Sequence, residues 1–315
     1  MEKIHAVFNS KFNYLHDIKI SPLSRGYTFS DSVYEVIPFY NSKIIAFEKH
    51  ISRLKKSCSS LNIPINIEKT TNEILELIST SNLRDGYVYY QVSRGVDLIR
   101  SHMFDNKIST ETFGYVVEYI FKTQTLKVML CEDLRWQRCD IKSTSLLGNI
   151  MSMNNAKDKG CDEVIMHRDN ILTEGGASNM FFADDKTIFT PEISTNILPG
   201  ITRDLLINEI KKAGMKVEEG NYSIDDLVDA KSIWLTSSTK GLAQVIEIFN
   251  YDVSLERDHH LFLKCKKIFS VVFDICVCWT CENCSYAYFT ILIFQIWKLN
   301  IFEIGICCRF QALCF

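Results

Sequence analysis

Two hydrophobic periods alternate along this chain, and their order limits the folds open to it. Residues 32–40 (SVYEVIPFY) and 86–95 (GYVYYQVSRG) read as strands, whereas residues 47–63 (FEKHISRLKKSCSSLNI) follow helical spacing that puts Ile51, Leu54 and Cys58 on one face. Residues 5–12 read as an opening strand, and 32–40, the Asn41-Ser42 pair and 43–47 as a hairpin. Residues 70–83 form a second amphipathic helix opening with threonines. After a polar stretch, 106–112, come strands at 114–121 and 126–136, then a helical stretch at 145–160 that stops at Gly160. Residues 162–168, 171–176 and 179–185 form a strand series with a tight turn at Asp169-Asn170. A helix starts near Thr202 and stops at Gly214, and 232–238 is a strand. There is no internal repeat, and the change of domain falls near residues 112–125.

A chain of 315 residues is long enough for two modest domains, each with a core. Its net charge of −3 and lack of any Lys/Arg run give no electrostatic reason to expect nucleic acid. The start, MEKIHAVFNSKFNYL, lacks a long apolar core behind a basic end, so a cytoplasmic protein is expected. Twelve cysteines are unevenly spread: Cys58, Cys131, Cys139 and Cys161 are scattered, and the other eight lie between Cys265 and Cys314. A secreted disulfide scaffold would distribute its bridges over the domain, so the scattered four read as reduced thiols.

Four clusters occur in a telling order: SPLSRGYTFSDSVYEVI; HISRLKKS; QVSRG followed by Arg100-Ser101-His102; and residues 140–182, followed by LPGITRD and WLTSST. Together they resemble the class IV aminotransferases, and within that class the D-amino-acid aminotransferases. The resemblance spans roughly residues 5–248 and is most specific over 140–182. It implies fold type IV of the pyridoxal-phosphate enzymes, an α/β (α+β) architecture. A small N-terminal α/β domain (1–118) precedes a larger cofactor-binding domain (119–274) with a mixed, partly barrel-like sheet. It also implies pyridoxal 5′-phosphate as cofactor, a homodimer, and small amino-acid and 2-oxo-acid substrates, with no metal, nucleic acid or membrane as partner.

Transamination needs a primary amine that holds the cofactor as a Schiff base and then acts as acid and base. By the resemblance this is Lys142, with Ile141, Leu146 and Leu147 placed to desolvate it. A carboxylate must keep the pyridine nitrogen protonated, which implicates Glu174, followed by two glycines that let backbone approach the ring. The phosphate calls for an arginine and helix-start N–H groups; Arg53, Ile201, Thr202, Ser237 and Ser238 fall at the matching positions. Tyr34, Arg100 and His102 match the residues that bind the α-carboxylate in D-amino-acid enzymes. The implied reaction is amino transfer between a D-amino acid (D-alanine or D-glutamate type) and a 2-oxo acid. Branched-chain L-amino-acid aminotransferases and aminodeoxychorismate lyases share the lysine and glutamate but are not expected to carry the Arg-x-His pair. A non-catalytic family member is a further alternative.

The chain departs from the family pattern in four places. The segment Val96 to Ile99 is one residue longer and lacks a proline; GDGVYE is SDSVYE, losing two glycines; the connection from Lys122 to Leu126 is short; and the tail is unlike the family. KCKKIFSVVFD reads as a remnant of a final helix, and 275–315 as an atypical Cys- and aromatic-rich tail. The apolar run Ala287 to Trp297 is too short to cross a membrane. CVCWTCENC crowds its thiols too closely for a two-knuckle zinc site, leaving an apolar interaction segment or, preferred, sequence that adds nothing to the fold.

Overall fold

A computed structural model describes residues 3–105 and 107–278, with backbone alone from 271 onward. Its N-terminal part builds one sheet. β1 (His5–Phe8) and β2 (Lys11–Tyr14) form a hairpin, and a short helix α1 (Arg25–Phe29) leads into β3 (Ser32–Tyr40), which returns as β4 (Lys43–Ile44). Helices α2 (Phe47–Ser60) and α3 (Ile67–Ser81) follow, then β5 (Gly86–Ser93) and β6 (Glu111–Glu118). The strand order is β2-β1-β6-β5-β3-β4, with antiparallel pairing throughout.

Turn chemistry explains two differences from the sequence reading. Residues 5–12 are split because Asn9 and Ser10 both take positive φ (48° and 64°), as Asn41 and Ser42 do (50° and 61°) in the expected hairpin. Two left-handed residues in succession reverse a strand with the right twist for a hairpin. The expected strand at 43–47 stops early because Ala46, at φ 50°, already flanks α2.

One face of this sheet packs on α2 and α3. Val33, Ile37, Phe39, Val88, Tyr90 and Val92 form a buried cluster with Ile51, Leu54, Cys58, Ile74 and Leu77, so the apolar helix face read from the 3.6-residue period is the face that is buried.

Between Glu118 and Thr125 the chain passes to a second sheet. It contains β7 (Thr125–Glu132), α4 (Leu147–Asp158), β8 (Glu163–Arg168), β9 (Ile171–Gly175), β10 (Asn179–Ala183) and β11 (Thr187–Pro191). Then come α5 (Ile201–Lys212), β12 (Lys216–Gly220), α6 (Ile224–Val228), β13 (Ser232–Ser237), β14 (Gly241–Ile248) and α7 (His260–Cys278). The order is β12-β11-β10-β13-β14-β7-β8-β9. The β11–β12, β14–β7 and β7–β8 pairs are parallel and the rest antiparallel. At one end β9 meets the segment after β12: Leu172 N–H donates to Tyr222 C=O (2.8 Å) and Ile224 N–H to Asn170 C=O (3.1 Å). The mixed sheet therefore curls into a partial barrel. The chain is a two-domain α/β protein with a small sheet and a larger, curled one.

The two sheets meet where β3 is left bare. β4 covers only Phe39 and Tyr40, so the opposite end of β3 has a free edge, which residues 142–144 occupy. Tyr34 N–H donates to Lys142 C=O (2.9 Å), Thr144 N–H donates to Ser32 C=O (3.1 Å), and Val33 and Ser143 form a bridge. The two serines that replace glycines are accommodated here. Ser30 takes a left-handed φ of 54° at the end of α1, and the buried Ser32 hydroxyl bonds to Thr144 Oγ1 (2.6 Å).

The α7 helix includes residues 264–274, as the sequence suggests, and Leu261, Phe262 and Cys265 pack against Leu206, Ile210 and Trp234. Cys58, Cys131, Cys139, Cys161 and Cys265 are free thiols. The readings of the tail past Cys278 lie outside the described residues. Among the described residues no helix is long and apolar enough to cross a membrane.

Two leucines of α3 separate burial from helix propensity. Leu77 is fully buried, whereas Leu75 is 43% exposed. Leu77→Ala should cost about 2–5 kcal/mol in urea unfolding and Leu75→Ala under about 1 kcal/mol. Equal losses would mean that the helix does not face the sheet as described.

Candidate active site

A cavity of about 350 Å³ opens between the sheets, within the size range of small-ligand sites. Lys142, Glu174, Arg53, Ile201, Thr202, Ser237, Ser238 and Tyr34 all line it. Eight of the ten candidate residues are thus brought together from six separate stretches of chain.

Lys142 is half-buried. Its backbone N–H donates to Ser57 Oγ (3.2 Å), and its Nζ sits 4.3 Å from the centre of the Tyr34 ring. Tyr34 stacks in turn on Tyr89 (5.5 Å). The apolar cover expected from three neighbours is only partly present: Ile141 is buried in the first-sheet core and Leu146 lines the cavity, but Leu147 is 70% exposed. As the first residue of α4 it points off the cavity, and the Tyr34 ring takes its place.

Glu174, at the end of β9, is buried, and three donors face its carboxyl. Arg135 Nη1 donates to Oε1 (2.6 Å), while Asn179 Nδ2 and the Leu198 N–H each donate to Oε2 (3.0 Å). Arg135 is itself gripped by the buried Asp133, through Nε (2.9 Å) and Nη2 (2.8 Å). Burial pushes the Glu174 pKa up to about 7, against the pull of Arg135 and the Leu198 N–H. Arg135 shifts upward as well, as a guanidinium between two carboxyls should. Up to about pH 7 burial keeps the acid protonated; above it the three donors hold the carboxylate.

Arg53 lies at the opposite wall. Its Nε and Nη2 donate to Glu35 (2.7 and 2.8 Å), and Nη1 donates to Pro199 C=O (3.1 Å). Glu35 is fully buried and also accepts from His50 Nδ1 (2.8 Å). Burial alone would raise the Glu35 pKa, but the Arg53 charge and hydrogen bonds, with His50, hold it at about 2. Burial also lowers the His50 pKa, against the raising effect of Glu35. Next to Arg53, α5 begins at Gly200 with no side-chain cap, leaving first-turn N–H groups at the cavity wall. Gly200 cannot carry a Cβ, which would strike Asn179 Oδ1.

This donor set fits pyridoxal phosphate. A half-buried amine without an acceptor, an arginine, an uncapped helix start and two serine hydroxyls surround the cavity, with a carboxylate at its floor. Arg100 and His102 do not line it. They lie on the β5–β6 connection, with the Arg100 guanidinium 4.4 Å and the His102 ring 5.4 Å from the Phe29 ring. The buried Arg25 holds their backbone, donating to the carbonyls of Ser101 (2.6 Å) and His102 (3.4 Å). Glu35, Arg135, Asp133 and Asn179 were not singled out from the sequence. The Asp133-x-Arg135 spacing signals at most a local ion pair, and the others act through residues distant in the chain.

The family model for amino-transferase class IV matches residues 32–248. The chain belongs to the class IV aminotransferases. It is a pyridoxal-phosphate-dependent aminotransferase, as its family implies. It is 33% identical to the D-alanine aminotransferase of Listeria innocua over 247 residues, covering 76% of this chain and 86% of that protein. It is 31% identical to that of Staphylococcus aureus (strain N315) over 255 residues, covering 79% and 89%. In structure it resembles the branched-chain aminotransferase of Thermoproteus uzoniensis (TM-score 0.79, 19% identity, covering 87% and 95%). The putative 4-amino-4-deoxychorismate lyase of Legionella pneumophila is also similar (TM-score 0.75, 23% identity, covering 82% and 97%). These two likenesses establish the shared fold.

The Glu174 carboxyl yields a pH test. Its pKa is raised on folding, so from the ordinary carboxylate range near 4.5 up to about 7 the folded state holds a proton that the unfolded state has lost. Stability of the cofactor-free protein should therefore fall as pH rises through that window, by an amount of order 3 kcal/mol. Melting temperatures of wild type and Glu174→Gln across pH 4–8 measure it. A wild-type minus variant difference that stays flat across this window contradicts the assignment.

Proposed function

We propose that this chain exchanges an amino group between a D-amino acid, of the D-alanine or D-glutamate type, and a 2-oxo acid, and that it does so as a homodimer. The observation that carries this reading is the convergence of Lys142, Glu174 and the Arg53–α5 wall on one cavity, in a chain whose curated relatives include D-alanine aminotransferases. The cofactor supplies the aldehyde that accepts the amino group and the ring that takes up the electron pair released at the substrate's Cα.

The protein's residues divide the remaining work. Lys142 would hold the cofactor's aldehyde at rest and, once freed by the incoming amine, would act as the acid and base that takes a proton from the substrate's Cα. The Tyr34 ring over Nζ keeps bulk water off one side. Glu174 holds the proton on the pyridine nitrogen, and Arg135 fixes the orientation of that carboxylate. Arg53, held by Glu35, meets the phosphate together with the N–H groups of Ile201 and Thr202 and the hydroxyls of Ser237 and Ser238.

Substrate recognition is where the second copy enters. Arg100 and His102 stand outside the cavity of their own chain, on a loop that exposes Leu98 (91%), Ile99 (69%) and Met103 (86%). An apolar loop tip carrying a carboxylate-binding pair is suited to docking against another copy, delivering Arg100 and His102 to its neighbour's cavity beside Tyr34.

Three measurements test this reading. Lys142→Ala should abolish the absorbance band of the lysine-linked cofactor and lower transamination by several orders of magnitude; an unchanged band ends the proposal. D-alanine, and not L-alanine or L-leucine, should convert bound cofactor to its amine form. Mixing Lys142→Ala with Arg100→Ala chains should recover about a quarter of wild-type activity, because half of randomly assorted dimers then contain one intact site of two. No recovery would place Arg100 at its own chain's cavity or outside the reaction.

A further inference from the structure

Close to the cavity, at the start of β8, lies a buried ion pair. Glu163, the first residue of β8, is fully buried, and among the described residues Lys240 Nζ is its only cationic partner. Lys240 belongs to the turn joining β13 to β14, directly after Ser237 and Ser238, and its N–H donates to Ser237 Oγ (3.1 Å). The other oxygen of Glu163 accepts the N–H of Gly176 (3.0 Å), two residues beyond Glu174. Gly176 is fastened on its remaining sides: Asn149 Nδ2 donates to its carbonyl (2.8 Å), and a Cβ there would press on Met153 Sδ and Glu163 Oε1. One carboxylate thus joins the turn carrying the two serines to the turn carrying the ring-nitrogen carboxylate.

We propose that Lys240 is a positioning residue for the cofactor site, tying its phosphate-side and ring-side walls to a common anchor at Glu163. The proposal rests on reading Ser237, Ser238 and Glu174 as cofactor contacts. Ser238 and Gly176 lie just past the last paired residues, Ser237 of β13 and Gly175 of β9, so beyond those points each turn depends on side-chain bonds to keep its place. A buried carboxylate with only backbone donors, the N–H groups of Gly176 (3.0 Å) and Val164 (3.4 Å), would be costly alone. The Lys240 ammonium balances that charge, and because it is covalently part of the serine turn, it transmits the constraint there. Lys240 touches no reacting atom and acts only through these turns.

The test separates positioning from bulk stability. Lys240→Met leaves Glu163 unpaired and should lower both the melting temperature of the cofactor-free protein and its affinity for pyridoxal phosphate. In Glu163→Gln/Lys240→Met no buried charge remains, so the melting temperature should return close to wild type. The dissociation constant for pyridoxal phosphate, followed by absorbance titration, should stay raised by the order of 10-fold that loss of outer support costs comparable bound-group sites. Lys240→Arg, which keeps the ion pair, should restore affinity. If affinity in the double variant recovers in step with melting temperature, or if the arginine variant binds as weakly as the methionine one, the positioning role is overturned. Wild-type protein that binds no pyridoxal phosphate would instead refute the cofactor assignments themselves, a distinguishable outcome.

Discussion

Everything at the cavity depends on a length of bare strand edge. β3 is nine residues long and its partner β4 only two, so half of one side of β3 has unpaired backbone groups. Left buried and unmatched, each would cost a sizeable part of the protein's net stability. Residues 142–144 supply the missing partners, and in doing so place the lysine amine at the seam between two sheets, over Tyr34. The same stretch of β3 carries Tyr34 and Glu35, so one strand presents its aromatic side to the amine while its buried face holds Arg53.

From that seam outward, the site is organised by carboxylates that are themselves anchored. Glu35 holds Arg53, Asp133 holds Arg135, Arg135 holds Glu174, and Glu163 holds both Gly176 and Lys240. The loop from Leu198 to Gly200 is spanned by two of these groups: Leu198 N–H binds Glu174 and Pro199 C=O binds Arg53. This loop therefore links directly the two walls proposed to receive the cofactor's ring nitrogen and phosphate. Each charge is neutralised within the protein by a partner charge or donor, which offsets the desolvation penalty of burying it.

Much of the fold was legible in the chain's own periodicity. The α2 face of Ile51, Leu54 and Cys58 and the hairpin at Asn41-Ser42 follow from local rules, because side-chain direction repeats with the backbone. The split of residues 5–12 at Asn9-Ser10 rests on the same turn rule. The motifs around Lys142, Glu174 and the start of α5 made the chemistry legible too, since only a few residue types can perform it. Less visible were the partners that make those groups usable. Glu35 and Arg53 are far apart in the chain, as are Arg135 and Glu174, and no local pattern reports which distant charges will meet.

The sequence by itself therefore determined most element types, the cofactor chemistry and which amine and carboxylate are proposed to serve it, because these depend on local stereochemistry and functional-group reactivity. Tertiary structure alone decided that eight candidate residues share a cavity while Arg100 and His102 stand outside it, that Tyr34 rather than Leu147 covers the amine, and that Ser32 fits where a glycine was expected. Those outcomes turn on which strand edge is left open and which buried charge finds a partner, and both are properties of the packed whole.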